Sequence, residues 1–175
     1  MDVDQYCQKW TIFGKLHRDG PDGQQPAMIF FDGEQRWYQN GKLHRDGPEG
    51  QQPAITLTNG EQQWYQNNQL HRDYDQPAAI DSTGGQYWFQ NGQRHRDNDQ
   101  PAMIYDDGEK AWYQNGQLHR DDDKPAIVYK SGYQAWYQRD KRHRDSPDGQ
   151  LPAVIHPNGT QVWYKNGQLV TRDFV

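Results

Sequence analysis

The sequence is poor in the residues from which most protein cores are built. Hydrophobic residues make up 32% of its 175 positions, against about 45–50% in a typical globular chain when glycine is counted with them. No apolar run approaches the ~18 residues of a membrane-spanning helix, so no membrane span is predicted. The single cysteine, Cys7, excludes an internal disulfide and a cysteine-based zinc site.

Positive charge is also scarce. The chain has 19 Lys and Arg against 24 Asp and Glu, a net charge of −5. We therefore do not expect it to bind the phosphate backbone of nucleic acids in general. The first residues, 1–5, lack the basic and apolar pattern of a signal peptide, which predicts a cytoplasmic location.

Aromatic residues are abundant, and they reveal a repeat. All seven tryptophans fall in one motif, at spacings of 27, 27, 24, 24, 24 and 27 residues. A histidine follows each of the first six at +7, and Pro-Ala precedes each from the second onward, so the three-residue length difference lies between His and Pro-Ala. We predict one repeat domain over 1–175, with a partial copy at 1–25 and units at about 26–52, 53–76, 77–100, 101–124, 125–151 and 152–175.

Turn signals divide each unit into short β-type pieces. In the second copy, Asp32-Gly33 and Asn40-Gly41 separate the pieces 27–31, 34–39 and 42–46. No segment has a helical apolar period. The prediction is an all-β fold of tandem hairpins or meanders, forming an elongated twisted antiparallel sheet or an open solenoid.

Alternation along the strands predicts two faces. With two-residue turns, Met28, Phe30, Gln35, Trp37 and His44 share one face, and this face is our choice for the core. The other face then carries the column that includes Ala27, Ile29, Arg36, Tyr38 and Leu43, and a three-residue turn would exchange some of these positions. The predicted core tryptophans are Trp37, Trp64, Trp88, Trp112, Trp136 and Trp163.

The motif Asp/Asn-Gly-x-x-x-Trp-Tyr-x-Asn-Gly-x-Leu-His resembles the MORN-repeat family, in a variant form with Trp-Tyr-x-Asn-Gly. The residues that carry the resemblance are Gly33–Leu43, Gly60–Leu70, Gly84–Arg94, Gly108–Leu118, Gly132–Arg142 and Gly159–Leu169. The resemblance implies an array of β-hairpins that acts as a binding or assembly scaffold. The His-Arg-Asp and Pro-Ala elements and the longer unit depart from the family pattern.

The repeated His-Arg-Asp triplet has a structural and a chemical interpretation. In the structural one, Arg bonds a neighbouring Asp or carbonyl group and braces the connector, while His stacks on Trp. A functional polar stripe, or a metal ion bridging histidines of different units, is the alternative. One copy, 119–125, is similar to a protein-kinase catalytic loop, but Ala126 stands where the metal-binding Asn is required. We predict no catalytic residues, no resident metal and no cofactor.

The repetition favours a binding protein over an enzyme, because catalysis needs one asymmetric site. We predict a non-enzymatic scaffold for a protein partner, which in a phage or virus would be an inhibitor of a host protein in the host cytoplasm. A homo-oligomer formed through exposed end strands is a further expectation. The alternative function is capture of a small molecule, choline or a glycan at aromatic sites between repeats. The residues predicted to contact the partner are Arg36, Tyr38, Tyr65, Tyr87, Phe89, Tyr113 and Tyr137.

Overall fold

The computed structural model describes residues 2–18, 25–45, 52–145 and 151–170, and these residues form β-strands and turns without a helix. The predicted all-β fold of antiparallel hairpins is thereby confirmed. The chain divides into two compact units, Met1–Gln93 and Arg94–Val175. Nowhere in the described ranges does a helix of membrane-crossing length and hydropathy occur.

Each repeat contains four very short strands rather than the three pieces predicted from the sequence. In chain order, the strands are β1 (Asp2–Val3), β2 (Cys7–Lys9), β3 (Thr11–Ile12), β4 (Lys15–Leu16), β5 (Met28–Phe30), β6 (Gln35–Arg36), β7 (Tyr38–Gln39), β8 (Lys42–Leu43), β9 (Ile55–Thr56), β10 (Gln62–Gln63), β11 (Tyr65–Gln66), β12 (Gln69–Leu70), β13 (Ala79–Ile80), β14 (Gln86–Tyr87), β15 (Phe89–Gln90), β16 (Gln93–Arg94), β17 (Met103–Ile104), β18 (Lys110–Ala111), β19 (Tyr113–Gln114), β20 (Gln117–Leu118), β21 (Ile127–Val128), β22 (Gln134–Ala135), β23 (Tyr137–Gln138), β24 (Lys141–Arg142), β25 (Val154–Ile155), β26 (Gln161–Val162), β27 (Tyr164–Lys165) and β28 (Gln168–Leu169).

The first two strands of every repeat belong to a long antiparallel sheet. In the first unit, the strand order is β1-β2-β5-β6-β9-β10-β13-β14, and in the second unit it is β17-β18-β21-β22-β25-β26. The last two strands of a repeat form a separate small hairpin, such as β7 with β8 or β23 with β24. Within each unit the strand order is linear, so hairpins follow one another in sequence order.

Tryptophan is the point where the chain leaves the long sheet for the small hairpin. The backbone N–H of Trp37 donates to the carbonyl oxygen of Ala54 in the next repeat, at 2.8 Å. The carbonyl oxygen of Trp37 instead accepts the N–H of His44 in its own repeat, at 3.1 Å. This change of partner splits the predicted piece 34–39 into two strands.

The two turns of a repeat differ in length, and this corrects the predicted faces. At the second turn, Asn40 and Gly41 have φ of 51° and 80°, as a two-residue type I′ turn requires. At the first turn, Gly33 has φ of 100° and follows a type I-like bend, in which its N–H donates to the carbonyl oxygen of Phe30 at 3.0 Å. This turn has three residues, so the register shifts by one.

With this register, Met28 pairs with Arg36, and Ile29 pairs with Gln35. Side chains of paired residues lie on the same face of a sheet. The prediction that Met28 shares a face with Gln35, and Ile29 with Arg36, is therefore wrong. The variable column that contains Arg36 lies on the face of the apolar Met28 column.

The core is built from tryptophan, from the Met28 column and from a column of alanines. Trp37, Trp64, Trp88, Trp112 and Trp136 are buried, whereas Trp163 in the last copy is half-buried. The alanine of each Pro-Ala pair has no exposed surface, although the alternation assigned it to the face opposite the core. The carbonyl groups of five of these alanines accept the tryptophan N–H of the preceding repeat, as Ala54 does for Trp37.

Candidate functional site

The arginine of the His-Arg-Asp triplet lies over the tryptophan of its own repeat. The guanidinium carbon of Arg120 is 3.8 Å from the ring centroid of Trp112, and Nη1 donates to the carbonyl oxygen of Pro125 at 3.2 Å. Nε and Nη2 of Arg120 bond the carboxylate of Asp99 at 2.6 and 3.1 Å. The predicted bracing of the connector is present, but arginine occupies the place over tryptophan that we had assigned to histidine.

The same stacking recurs along the chain. Its other members lie at 3.9–4.0 Å, and they are Arg18 over Trp10, Arg45 over Trp37, Arg72 over Trp64 and Arg144 over Trp136. A cation over an indole face, partly removed from water, stabilises both groups. The arginines of this column are therefore structural groups.

Histidine joins each repeat to the next one. Nδ1 of His95 accepts the backbone N–H of Asn115 at 3.0 Å, and Nε2 lies 3.0 Å from the carboxylate of Asp97. Because an amide N–H can only donate, Nδ1 carries no proton, and Nε2–H donates to the aspartate. Equivalent bonds to the next turn are made by His17, His44, His71, His119 and His143.

Polar clefts of about 200 Å³ lie between successive repeats of the second unit. One cleft is lined by residues that include Asp99, Trp112, His119 and Arg120, and another is lined by the equivalent groups Asp123, Trp136, His143 and Arg144. The cleft arginines already bond a carboxylate and a carbonyl group, and Trp112 Nε1 donates to the carbonyl oxygen of Asp99 at 3.0 Å. The described residues contain no group of three or more potential metal ligands.

From the second repeat onward, the residue after tryptophan is a tyrosine, or Phe89 in the fourth repeat, and it is half-buried in the first strand of the small hairpin. In the second repeat, Tyr38 pairs with Leu43 across this hairpin. The hydroxyl of Tyr65 donates to Oε1 of Gln63 at 3.0 Å, so the tyrosine column contacts the variable column of the long sheet. Burial raises the pKa of Tyr65, while the nearby Arg36 acts in the opposite direction.

Five of the seven predicted contact residues lie in the first unit. Arg36 forms an ion pair with Glu34 and lies 4.9 Å from the ring centroid of Phe30. The hydroxyl of Tyr87 donates to the carboxylate of Asp81. Tyr38, Tyr65 and Phe89 occupy equivalent half-buried hairpin positions, and the structure brings Arg36 and Tyr38 close to Tyr65.

The other two, Tyr113 and Tyr137, lie in the second unit, which contains six of the eleven tyrosines of the chain. Nε of Arg142 donates to the hydroxyl of Tyr137 at 2.9 Å, and Nη1 donates to that of Tyr164 at 3.2 Å. Tyr133 lies beside them, in ring contact with Tyr129 at 5.1 Å. We call Tyr133, Tyr137, Arg142 and Tyr164 the Tyr–Arg surface.

Sequence reasoning missed Arg142 and Tyr133. A signal was present, because Arg142 and Arg94 stand in a column that holds leucine in the other repeats, as at Leu43, Leu70 and Leu118. Comparison of the sequence with protein-family models and with curated proteins gave no match, so the resemblance to MORN repeats stays a prediction.

Proposed function

We propose that the chain is a non-enzymatic repeat scaffold that binds a protein partner through its tyrosine columns. The observation that carries this proposal is the Tyr–Arg surface, where an arginine is held between the hydroxyls of Tyr137 and Tyr164. Tyrosine and arginine are the residue types that most often dominate the binding energy of protein interfaces. A surface whose side chains are already held in place loses less conformational entropy on binding.

The polar groups of the His-Arg-Asp triplet, which recurs in the first six copies, support a non-enzymatic role. Histidine, arginine and aspartate of the triplet bond to one another, to turns and to connectors, as seen around His95 and Arg120. A catalytic group needs a lone pair or a proton that is free to reach a substrate. We further propose a cytoplasmic location and, for a viral chain, inhibition of a host protein.

A binding assay with matched variants tests the proposal. The chain is immobilised, a partner is captured from lysate of the native host, and the affinity of the purified partner is then measured for Tyr113→Ala, Tyr137→Ala and Tyr137→Phe. We expect a loss of about tenfold or more for each alanine variant, equivalent to about 1.4 kcal/mol, and a smaller loss for phenylalanine, which retains the ring.

The control variant is Gln117→Ala, because Gln117 is an exposed strand residue of the same kind of hairpin. Thermal denaturation of every variant separates loss of binding from loss of folding. Equal affinity of the folded tyrosine variants and of the control would refute the proposed surface.

Small-molecule or glycan capture is the second candidate function, and the equivalent clefts around Trp112 and Trp136 favour it. Titration calorimetry with choline, sugars and nucleotides distinguishes the two functions. Several equivalent sites per chain indicate ligand capture in the clefts, whereas a single macromolecular site indicates the scaffold.

A further inference from the structure

We propose that the Tyr–Arg surface binds an acidic polypeptide segment, with Arg142 taking a carboxylate of that segment. This inference rests on the proposed function and adds the chemistry of the partner. A guanidinium without a counter-ion in its own chain can bind an anion from a partner.

Several arginines of the chain have carboxylate partners. Arg36 is paired with Glu34, Arg120 with Asp99 and Arg144 with Asp123. Arg142, in contrast, has no carboxylate within salt-bridge distance among the residues that the structure describes. Its bonds go to two tyrosine hydroxyls, which carry no charge at neutral pH.

The missing carboxylate can be traced to one column of the repeat. Glu34, Glu61 and Glu109 stand at this position in other copies, and Glu34 is the residue that pairs with Arg36. In the repeat of Arg142 the same position is Tyr133. The acid is absent from both repeats in which arginine replaces leucine, since Gly85 stands at this position in the repeat of Arg94.

The surrounding hairpin adds positive charge. Its turn is Arg139-Asp140 instead of Asn-Gly, and Lys141 precedes Arg142. Arg139 and Lys141 are exposed, and within the described ranges neither forms an ion pair. Asp140 has a structural task, since its Oδ1 accepts the backbone N–H of Leu118 at 2.7 Å.

The hydrogen-bond donors at this place suit a carboxylate. A guanidinium has five N–H donors, and the bonds of Arg142 to the two tyrosine hydroxyls occupy Nε and one position of Nη1. The hydroxyls of Tyr137 and Tyr164 accept from the arginine and keep their own hydrogens for donation. Arginine matches the planar carboxylate in a bidentate manner, and such charge-assisted bonds are about twice as strong as neutral ones.

A polypeptide is favoured over a nucleic acid because the positive charge is local. The whole chain carries −5, and backbone binding of nucleic acids needs a row of cations along several phosphates. One basic hairpin set among tyrosine rings instead matches an extended segment with one or two carboxylates and apolar neighbours.

The test measures binding of a labelled Glu-rich peptide to the full chain by fluorescence anisotropy at low salt. The matched probes are the same peptide with glutamine for glutamate and a single-stranded oligothymidine of similar length. Arg142→Leu is the informative variant, because leucine is the residue that other repeats use at this position. Lys42→Gln is the control, since it removes an exposed cation from the equivalent hairpin of the second repeat.

We expect the Glu-rich peptide to bind, the glutamine peptide to bind at least about tenfold more weakly, and Arg142→Leu to lose about tenfold in affinity for the former. Lys42→Gln should behave as the unmodified chain does. Equal affinity of Arg142→Leu and the unmodified chain for the Glu-rich peptide would overturn the inference. It would also be overturned if oligothymidine bound more tightly than the peptide and lost this affinity in Arg142→Leu.

The experiments distinguish failure of the acidic-segment inference from failure of the proposed scaffold function. If a captured partner depends on Tyr137 but not on Arg142, the acidic-segment inference fails and the scaffold stands. If the Glu-rich peptide depends on Arg142 but the captured partner is indifferent to the tyrosine variants, the anion site stands and the proposed scaffold surface fails.

Discussion

The guanidinium of Arg120 lies 3.8 Å above the indole of Trp112, eight positions earlier in the same repeat. Through Nη1 the same side chain reaches the carbonyl oxygen of Pro125, which begins the next repeat. Arg120 thus covers the tryptophan of its own repeat and holds the first residue of the following repeat in place.

Trp112→Ala should lower the free energy of unfolding by about 3–5 kcal/mol, because it removes a buried aromatic ring from a central repeat. Tyr113→Ala should cost clearly less, since Tyr113 is only half-buried. Urea denaturation of both variants measures the difference. A larger loss for Tyr113→Ala would show that the tryptophan column is not the main core.

Arg120→Lys should not preserve stability, although it preserves the charge. Lysine cannot stack a planar group on Trp112 while bonding Pro125 and Asp99, so we expect a loss of about 1–3 kcal/mol. Urea denaturation measures it. Arg139→Lys is the control, because Arg139 is exposed in a turn and should tolerate the change.

Asp99 should contribute to a loss of stability in acid. Hydrogen bonds from Arg120 hold the pKa of Asp99 at about 2, below its ordinary value of 3.8. Lys124 also lowers this pKa, whereas burial of the carboxylate raises it. Between about pH 4 and pH 2, Asp99 is protonated in the unfolded chain but not in the folded chain. Its contribution to the free energy of unfolding is therefore present above pH 4 and is lost as the pH falls towards 2.

Thermal denaturation as a function of pH measures this effect. Asp99→Asn should be less stable at neutral pH and should show a shallower decline between pH 4 and pH 2. Asp106→Asn, in an exposed turn, should leave the slope unchanged. An unaltered slope in Asp99→Asn would contradict the assignment.

His95→Leu should loosen one junction between repeats. It removes the acceptor of the Asn115 N–H, a hydrogen bond worth about 0.5–1.5 kcal/mol net. Hydrogen exchange of the Asn115 amide should become faster. The Tyr129 amide, which donates to the carbonyl oxygen of Tyr133, serves as the internal reference and should exchange as before.

Gly92→Asn should be tolerated or slightly stabilising. Gly92 has φ of 79°, and at the equivalent position Asn68 has φ of 69° while its Oδ1 accepts the N–H of Leu43 at 2.6 Å. A Cβ on Gly92 would meet only ordinary contacts with Gln69 at 3.8 Å. Gly92→Val should be destabilising, because a β-branched residue disfavours positive φ. Equal melting temperatures of the two variants would contradict this interpretation.

The turn chemistry explains why the fold was predictable and the faces were not. Asn40-Gly41 and Asp32-Gly33 both signal hairpins, so the all-β architecture follows from the sequence. The two dipeptides adopt different turns, however, and a one-residue difference moves Arg36 to the other face. Local sequence contains no sign of this difference, because Gly tolerates positive φ in both turn types.

The candidate site was only partly predictable for a similar reason. Tyr137 could be found from its column, but the bond from Arg142 to Tyr164 joins consecutive repeats, 22 positions apart in the chain. Such contacts depend on how one hairpin docks on the next. Repetition identifies which columns recur, and the exceptional member of a column becomes informative only when its neighbours in space are known.

The hydrogen bonds between successive hairpins also determine how easily such a chain can gain or lose repeats in evolution. The Gly41 N–H bonds the carbonyl oxygen of Leu16, and the Asn40 N–H bonds Nδ1 of His17; the Gly92 and Asn91 amides make the same two bonds to Leu70 and His71. A duplicated block of one repeat would meet both of its neighbours with the matching donors and acceptors. Unequal recombination could therefore add or remove a whole repeat in a single step, while a partial repeat would leave these groups without partners.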